Sequence, residues 1–74
     1  MKVEVGQVYK HFKGHIYKIM AIAKHSETLE KMVVYQNIED VLDVWVRPYE
    51  MFIEKVDTNK YPDIGQEYRF QLID

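Results

Sequence analysis

HIYKIMAIAKHSETLEKMVVYQN, residues 15–37, holds two strand-like runs around a polar connection. The first run, 15–24, puts Tyr17, Ile19, Ala21 and Ala23 on one face and Ile16, Lys18, Met20, Ile22 and Lys24 on the other. Side chains alternate across a strand, and the lysines make the second face the wetter one. Tyr17, Ile19, Ala21 and Ala23 are therefore the expected core face, with Met20 and Ile22 covered by another element or forming a second side of the core. The second run, 32–37 within KMVVYQN, is rich in β-branched and aromatic residues and predicts a second long strand, antiparallel to the first. His25 to Glu30 connect the two. Ser26 and Thr28 carry hydroxyls suited to capping local backbone groups. His25 beside Glu27 or Glu30 equally has the makings of proton-transfer chemistry, since imidazole titrates near neutrality and a carboxylate can orient it.

Working outward, Gly6 and Gly14 bracket QVYKHFK, an imperfectly alternating strand with Val8, Lys10 and Phe12 on one side and Tyr9, His11 and Lys13 on the other. IEDVLD, 38–43, reads as a turn and VWV, 44–46, as a short strand ended by Arg47 and Pro48. Proline is tolerated in a first helical turn, and the spacing of Pro48, Met51, Phe52 and Val56 predicts a short helix or 3₁₀ turn. DTNKYPDIGQE, 57–67, has no period and is loop; YRFQLI, 68–73, is a closing strand. About five short strands without a crossover helix make a mainly β fold, a small SH3-like antiparallel barrel forming one domain over residues 1–74. Closure of the sheet would remove edge strands that so small a protein protects poorly.

The 74 residues are 47% hydrophobic, with no apolar run approaching the roughly 18 residues of a membrane span. A soluble cytoplasmic protein without a membrane partner is expected. The absence of cysteine excludes disulfides and thiolate metal ligands. The net charge of −2 is unevenly spread: residues 1–31 carry six lysines against three glutamates, and residues 32–74 carry Arg47, Lys55, Lys60 and Arg69 against nine carboxylates. A basic face that attracts phosphate can exist on such a chain, but strands interleave in space, so sequence halves need not be surface halves.

His11, His15 and His25 lack the ligand spacing of a zinc site, so no metal and no cofactor is expected. Ser26 and Thr28 sit in no nucleophile elbow, and no catalytic residue is assigned. Trp45 has two readings. If Val44 and Val46 face inward, Trp45 and Arg47 point outward as a stacking and charge pair; if Trp45 is core, as indoles on average are, Arg47 is placed to meet Glu50 or Glu54. The candidate binding surface is His11, Lys13, His25, Glu27, Thr28, Glu30, Tyr35, Trp45 and Arg47. It points first to a noncatalytic binding or accessory module for a protein or small polar ligand. A small enzyme using His25 with Glu27 or Glu30, and a weak nucleic-acid-binding barrel, are the alternatives. The chain is expected as a monomer or a homodimer, with Met20 and Ile22 as a candidate dimer seam.

GQVYKHFKGHIYKIMAIAKHSETLEKMVVYQN followed by WVRPYEMFIEKV resembles the bacterial DUF1653 family over residues 6–56. The likeness rests on Gly6, Tyr9, His11, Lys13, Gly14 and Tyr17, on His25, Ser26, Glu27, Thr28 and Glu30, on Val34 and Tyr35, and on Trp45, Val46, Arg47, Pro48, Met51 and Phe52. The tail departs, with Tyr68 standing where relatives usually carry proline before an arginine and a phenylalanine. The resemblance implies a compact β domain and brings no activity, substrate or cofactor with it.

Overall fold

The computed structural model describes residues 2–74 as strands β1 (Val8–His11), β2 (Ile16–Lys24), β3 (Lys31–Asn37) and β4 (Val44–Pro48), a single helical turn α1 (Tyr49–Phe52), and strand β5 (Phe70–Leu72). All pairings are antiparallel, in the order β4-β3-β2-β1-β5. β4 and β5 are the two edges and do not pair, so the sheet is not closed into the expected barrel. It curls instead. Phe70 of β5 meets Tyr35 of β3 with ring centroids 5.3 Å apart, although three strand spacings in a flat sheet would separate them by roughly 14 Å. The Arg47 guanidinium of β4 lies 5.6 Å from the same Phe70 ring.

The core is aromatic because a small sheet with one helical turn must fill its concave face with few, large side chains. Tyr9, Tyr17, Ile19, Val33, Tyr35, Phe52 and Phe70 are buried there, joined by Val3 and flanked by Ile22, Tyr49 and Ile53. Phe52 and Phe70 stack at 4.0 Å, while Tyr9 and Tyr35 meet Phe52 edge-on at 5.3 and 5.4 Å. Each such pair contributes about 0.5–1.5 kcal/mol beyond the area it buries. Pro48 ends β4 and leaves α1 to carry Phe52 into this cluster. The Val3 N–H donates to the Tyr49 hydroxyl at 2.9 Å, which fastens the N-terminal segment beside α1.

β2 departs from simple alternation. Its register to β3 steps from Ile19↔Tyr35 to Ala21↔Val34, leaving Met20 as the extra residue of a bulge. The bulge reverses the parity that follows, so Ile22, paired with Val33, turns to the core and Ala21 and Ala23 do not join the buried set. The expected core face is thus right at Tyr17 and Ile19 and wrong beyond them. The Met20–Ile22 seam also dissolves, because the two residues no longer share a solvent face. Gly14, at φ +109°, makes the turn between β1 and β2 in a conformation that favours glycine, and its N–H bonds to the His11 carbonyl at 2.8 Å. Among the described residues, no helix is long and apolar enough to cross a membrane.

Candidate anion-binding cleft

β1 carries Tyr9 into the core, and two residues on, on the same face, its last residue His11 reaches the rim. The His11 ring packs on Phe12 at 4.5 Å and edge-on to Phe70 at 4.9 Å, so it is half-buried against apolar surface. Its Nδ1 accepts the Lys13 N–H at 3.1 Å, which leaves the proton of the neutral ring on Nε2 as a donor. Burial first, then the charges of Arg47, Lys13 and Arg69 and the neighbouring His15, push its pKa down to about 4. His11 is a neutral donor at neutral pH.

Of these groups, Arg47, Lys13 and Arg69 line a cleft of about 310 Å³ between the end of β1, β4 and the 57–69 segment. Lys13, Arg47, Lys60 and Arg69 contribute four cations and Asp57 the single carboxylate. Phe12 and Tyr61 form an aromatic wall, 4.9 Å apart, with the Lys13 ammonium 5.9 and 5.7 Å from their centroids and Lys60 5.5 Å from Tyr61. Asp57 is partly spent on its own loop, where Oδ1 accepts the N–H groups of Asn59 and Lys60. Arg69 lies 3.5 Å through Nε from a Glu54 carboxylate oxygen, near enough for attraction but not aligned for a hydrogen bond. Among the described residues, no carboxylate lies within ion-pair distance of Lys13, Arg47 or Lys60.

The frame behind the cleft is fixed by backbone bonds. Phe12 N–H donates to the Arg69 carbonyl at 2.9 Å and Arg69 N–H to the Glu54 carbonyl at 3.0 Å. The Gln66 amide donates to the carbonyls of Lys10 and Tyr68 at 3.0 and 2.8 Å, tying the irregular segment to β1. A second hollow of about 110 Å³ adjoins, sharing His11 and Arg47 and adding Tyr17, Tyr35, Trp45 and Phe70.

Of the residues singled out from sequence, His11, Lys13 and Arg47 meet at the main cleft, and Tyr35 and Trp45 join His11 and Arg47 at the smaller one. Trp45 follows neither reading in full. It pairs with Tyr35 and so shares the core-facing side, but on an edge strand it remains 52% exposed. Arg47 does not pair with Glu50 or Glu54; it lies over Phe70.

His25, Glu27, Thr28 and Glu30 line neither hollow. The His25 Nδ1 accepts the N–H groups of Glu27 and Thr28 at 3.1 and 3.4 Å, and Thr28 Oγ1 accepts that of Glu30 at 3.2 Å. The His25 N–H and carbonyl close the loop against Glu30 and Leu29. Phe12, Asp57, Lys60, Tyr61 and Arg69 were not among the sequence candidates. The one signal that could have raised them is that the acidic part of the chain has only four cations, three of which, Arg47, Lys60 and Arg69, stand in this cleft.

Among known proteins, residues 7–72 match the model of a family described as "Protein of unknown function (DUF1653)". No curated protein and no solved structure gave a match. The family match runs past Val56, so the divergent tail with Tyr68, Arg69 and Phe70 lies within it.

Proposed function

Because the chain belongs to the DUF1653 family over nearly its whole length, and that family's description names no activity, we propose from the cleft itself that this domain is a noncatalytic binding module. Its ligand is a small anion, a phosphate or carboxylate, carried on a planar group. One observation carries the reading: Lys13, Arg47, Lys60 and Arg69 line one cleft with Asp57 the single carboxylate in its lining, and among the described residues only Arg69 of these has a carboxylate, that of Glu54, within ion-pair distance. Cations in excess of carboxylates at one concave site repel each other, and an anion relieves that repulsion while accepting hydrogen bonds from the guanidinium groups and from His11 Nε2. Phe12 and Tyr61, whose planes meet at 62°, supply one ring face and one ring edge for the planar part. The cleft volume falls at the small end of ligand sites.

The enzyme reading built on His25 draws no support from its loop: Nδ1 accepts two backbone N–H groups, and among the described residues neither the Glu27 nor the Glu30 carboxylate bonds to the ring to orient it. Nucleic acid is the second reading, favoured by the same cations and aromatics. A single cleft on a chain of net charge −2 offers few phosphate contacts, so that binding is weak and falls steeply with salt.

Calorimetric titration of the chain with inorganic phosphate and with a nucleoside monophosphate tests the proposal. The expected result is saturable binding of both, tighter for the nucleotide, weakened at least tenfold by Arg47→Gln and by Lys60→Gln in protein whose circular dichroism is unchanged. No heat from either at millimolar concentration, or binding indifferent to both substitutions, overturns it.

A further inference from the structure

β4 is an open sheet edge with an unusual surface. Val44, Trp45 and Val46 are 50%, 52% and 59% exposed, and no backbone bond from outside the sheet reaches them among the described residues. Exposed apolar edges invite strand addition, and proteins commonly blunt them with charge or brevity. The opposite edge, β5, has only three residues; β4 has five.

The pairing of β4 with β3 fixes what its free side offers. The Asn37 N–H bonds to the Asp43 carbonyl at 2.9 Å, and bonded and non-bonded pairs alternate along an antiparallel ladder. The Asp43 carbonyl and the backbone groups of positions 45 and 47 therefore turn to β3, while Val44 and Val46 present an N–H and a C=O each to the outside.

We infer that this edge pairs antiparallel with the β4 edge of a second copy of the chain, about a two-fold axis at Trp45. The choice of occupant comes from self-complementarity. In this register Val44 of each copy faces Val46 of the other, and these are the residues with free backbone groups, so four N–H to carbonyl bonds form. Trp45 faces its own copy in the non-bonded position, where side chains approach most closely. Asp43 of each copy falls opposite Arg47 of the other, a charge match made twice by the symmetry. One step further, the 89% exposed Leu42 arrives at Pro48. A shift by one residue would place Val44 and Val46 opposite residues whose backbone groups are already used. The inference shares Arg47 with the anion cleft but draws its backbone pairing from Val44 and Val46, which line no part of that cleft.

Trp45 is the sole tryptophan, so it reports directly. Sedimentation of the wild-type chain is expected to show twice its 8.9 kDa mass at high concentration, with Trp45 emission shifting to the red on dilution over the same range. Val46→Pro removes one outward donor without touching a bond to β3, and Trp45→Lys places like charges on the axis. Each is expected to weaken the dimer at least tenfold while the far-ultraviolet spectrum stays folded. A mixture of Asp43→Lys and Arg47→Asp chains is expected to associate where each alone does not. A monomer at all concentrations with invariant emission overturns the inference, as does a dimer that Val46→Pro and Trp45→Lys both leave intact.

Discussion

His11 binds a proton in the folded chain only near pH 4, whereas an unfolded histidine does so near its ordinary value of 6.5. Between those values the unfolded state holds more protons, so stability rises with pH across that window and is level above it. Undiscounted, the shift would correspond to about 3.4 kcal/mol; the half-buried ring is screened by solvent, so a fraction of that is lost as pH falls from 6.5 to 4. His11→Asn keeps an acceptor for the Lys13 N–H but cannot titrate, so urea denaturation at pH 7 and pH 5 is expected to differ clearly less in the variant than in the wild type. Loop 25–30 offers a second residue-scale case. The sequence pointed to hydroxyl caps, and Thr28 makes one, but the His25 ring takes two N–H groups. His25→Ala is therefore expected to cost about 0.5–2 kcal/mol and Thr28→Ala no more than that, read from the same denaturation curves. His11 could be chosen from sequence because it sits in a short alternating run beside Lys13. Its partners Lys60 and Tyr61 could not, since they come from a stretch without period, and Arg69, in the expected closing strand, is placed beside it only by the pairing of β5 with β1.

At the scale of elements, the strands and the single helical turn could be read from alternation and from Pro48, while the bulge could not. A two-residue period carries no mark of where one residue will be skipped, and the skip at Met20 is defined only against Tyr35 and Val34 across the ladder. The consequence is a reversed preference downstream. Ile22→Lys is expected to destabilise by about 1–3 kcal/mol, because it removes apolar packing against the aromatic core, whereas Ala21→Lys is expected to change stability by less than about 1 kcal/mol. Circular dichroism and thermal melting of the two variants distinguish this from strict alternation, which predicts the opposite order.

For the whole molecule, the charge reading by halves misleads in an instructive way. The cleft draws one lysine from the basic part and three cations from the acidic part, so the site's sign belongs to the fold and not to any segment. An anion that binds only the folded chain stabilises it by mass action, by about 2.7 kcal/mol when its concentration is 100 times Kd. Phosphate is thus expected to raise Tm by several degrees at constant ionic strength, and the rise is expected to shrink by more than half in a Lys13→Gln, Lys60→Gln double variant, as measured by scanning fluorimetry. Chloride at matched ionic strength is the control for screening.

The bonding of β5 to β1 also governs when the protein can exist during its own synthesis. β1 to β4 join neighbours in the chain and can zip as successive hairpins as they emerge, but Tyr9↔Leu72 and His11↔Phe70 span almost the entire chain. Such distant contacts form slowly and late. Until Phe70 leaves the ribosome, Phe52 has no stacking partner, Arg47 no ring to lie over, and Phe12 no Arg69 carbonyl to bind. The growing chain meanwhile displays an unfinished aromatic face and a bare β4 edge. Core and cleft then arrive together once Phe70 has emerged, so a nascent chain stalled before Phe70 is a sticky hairpin array with nothing to bind an anion.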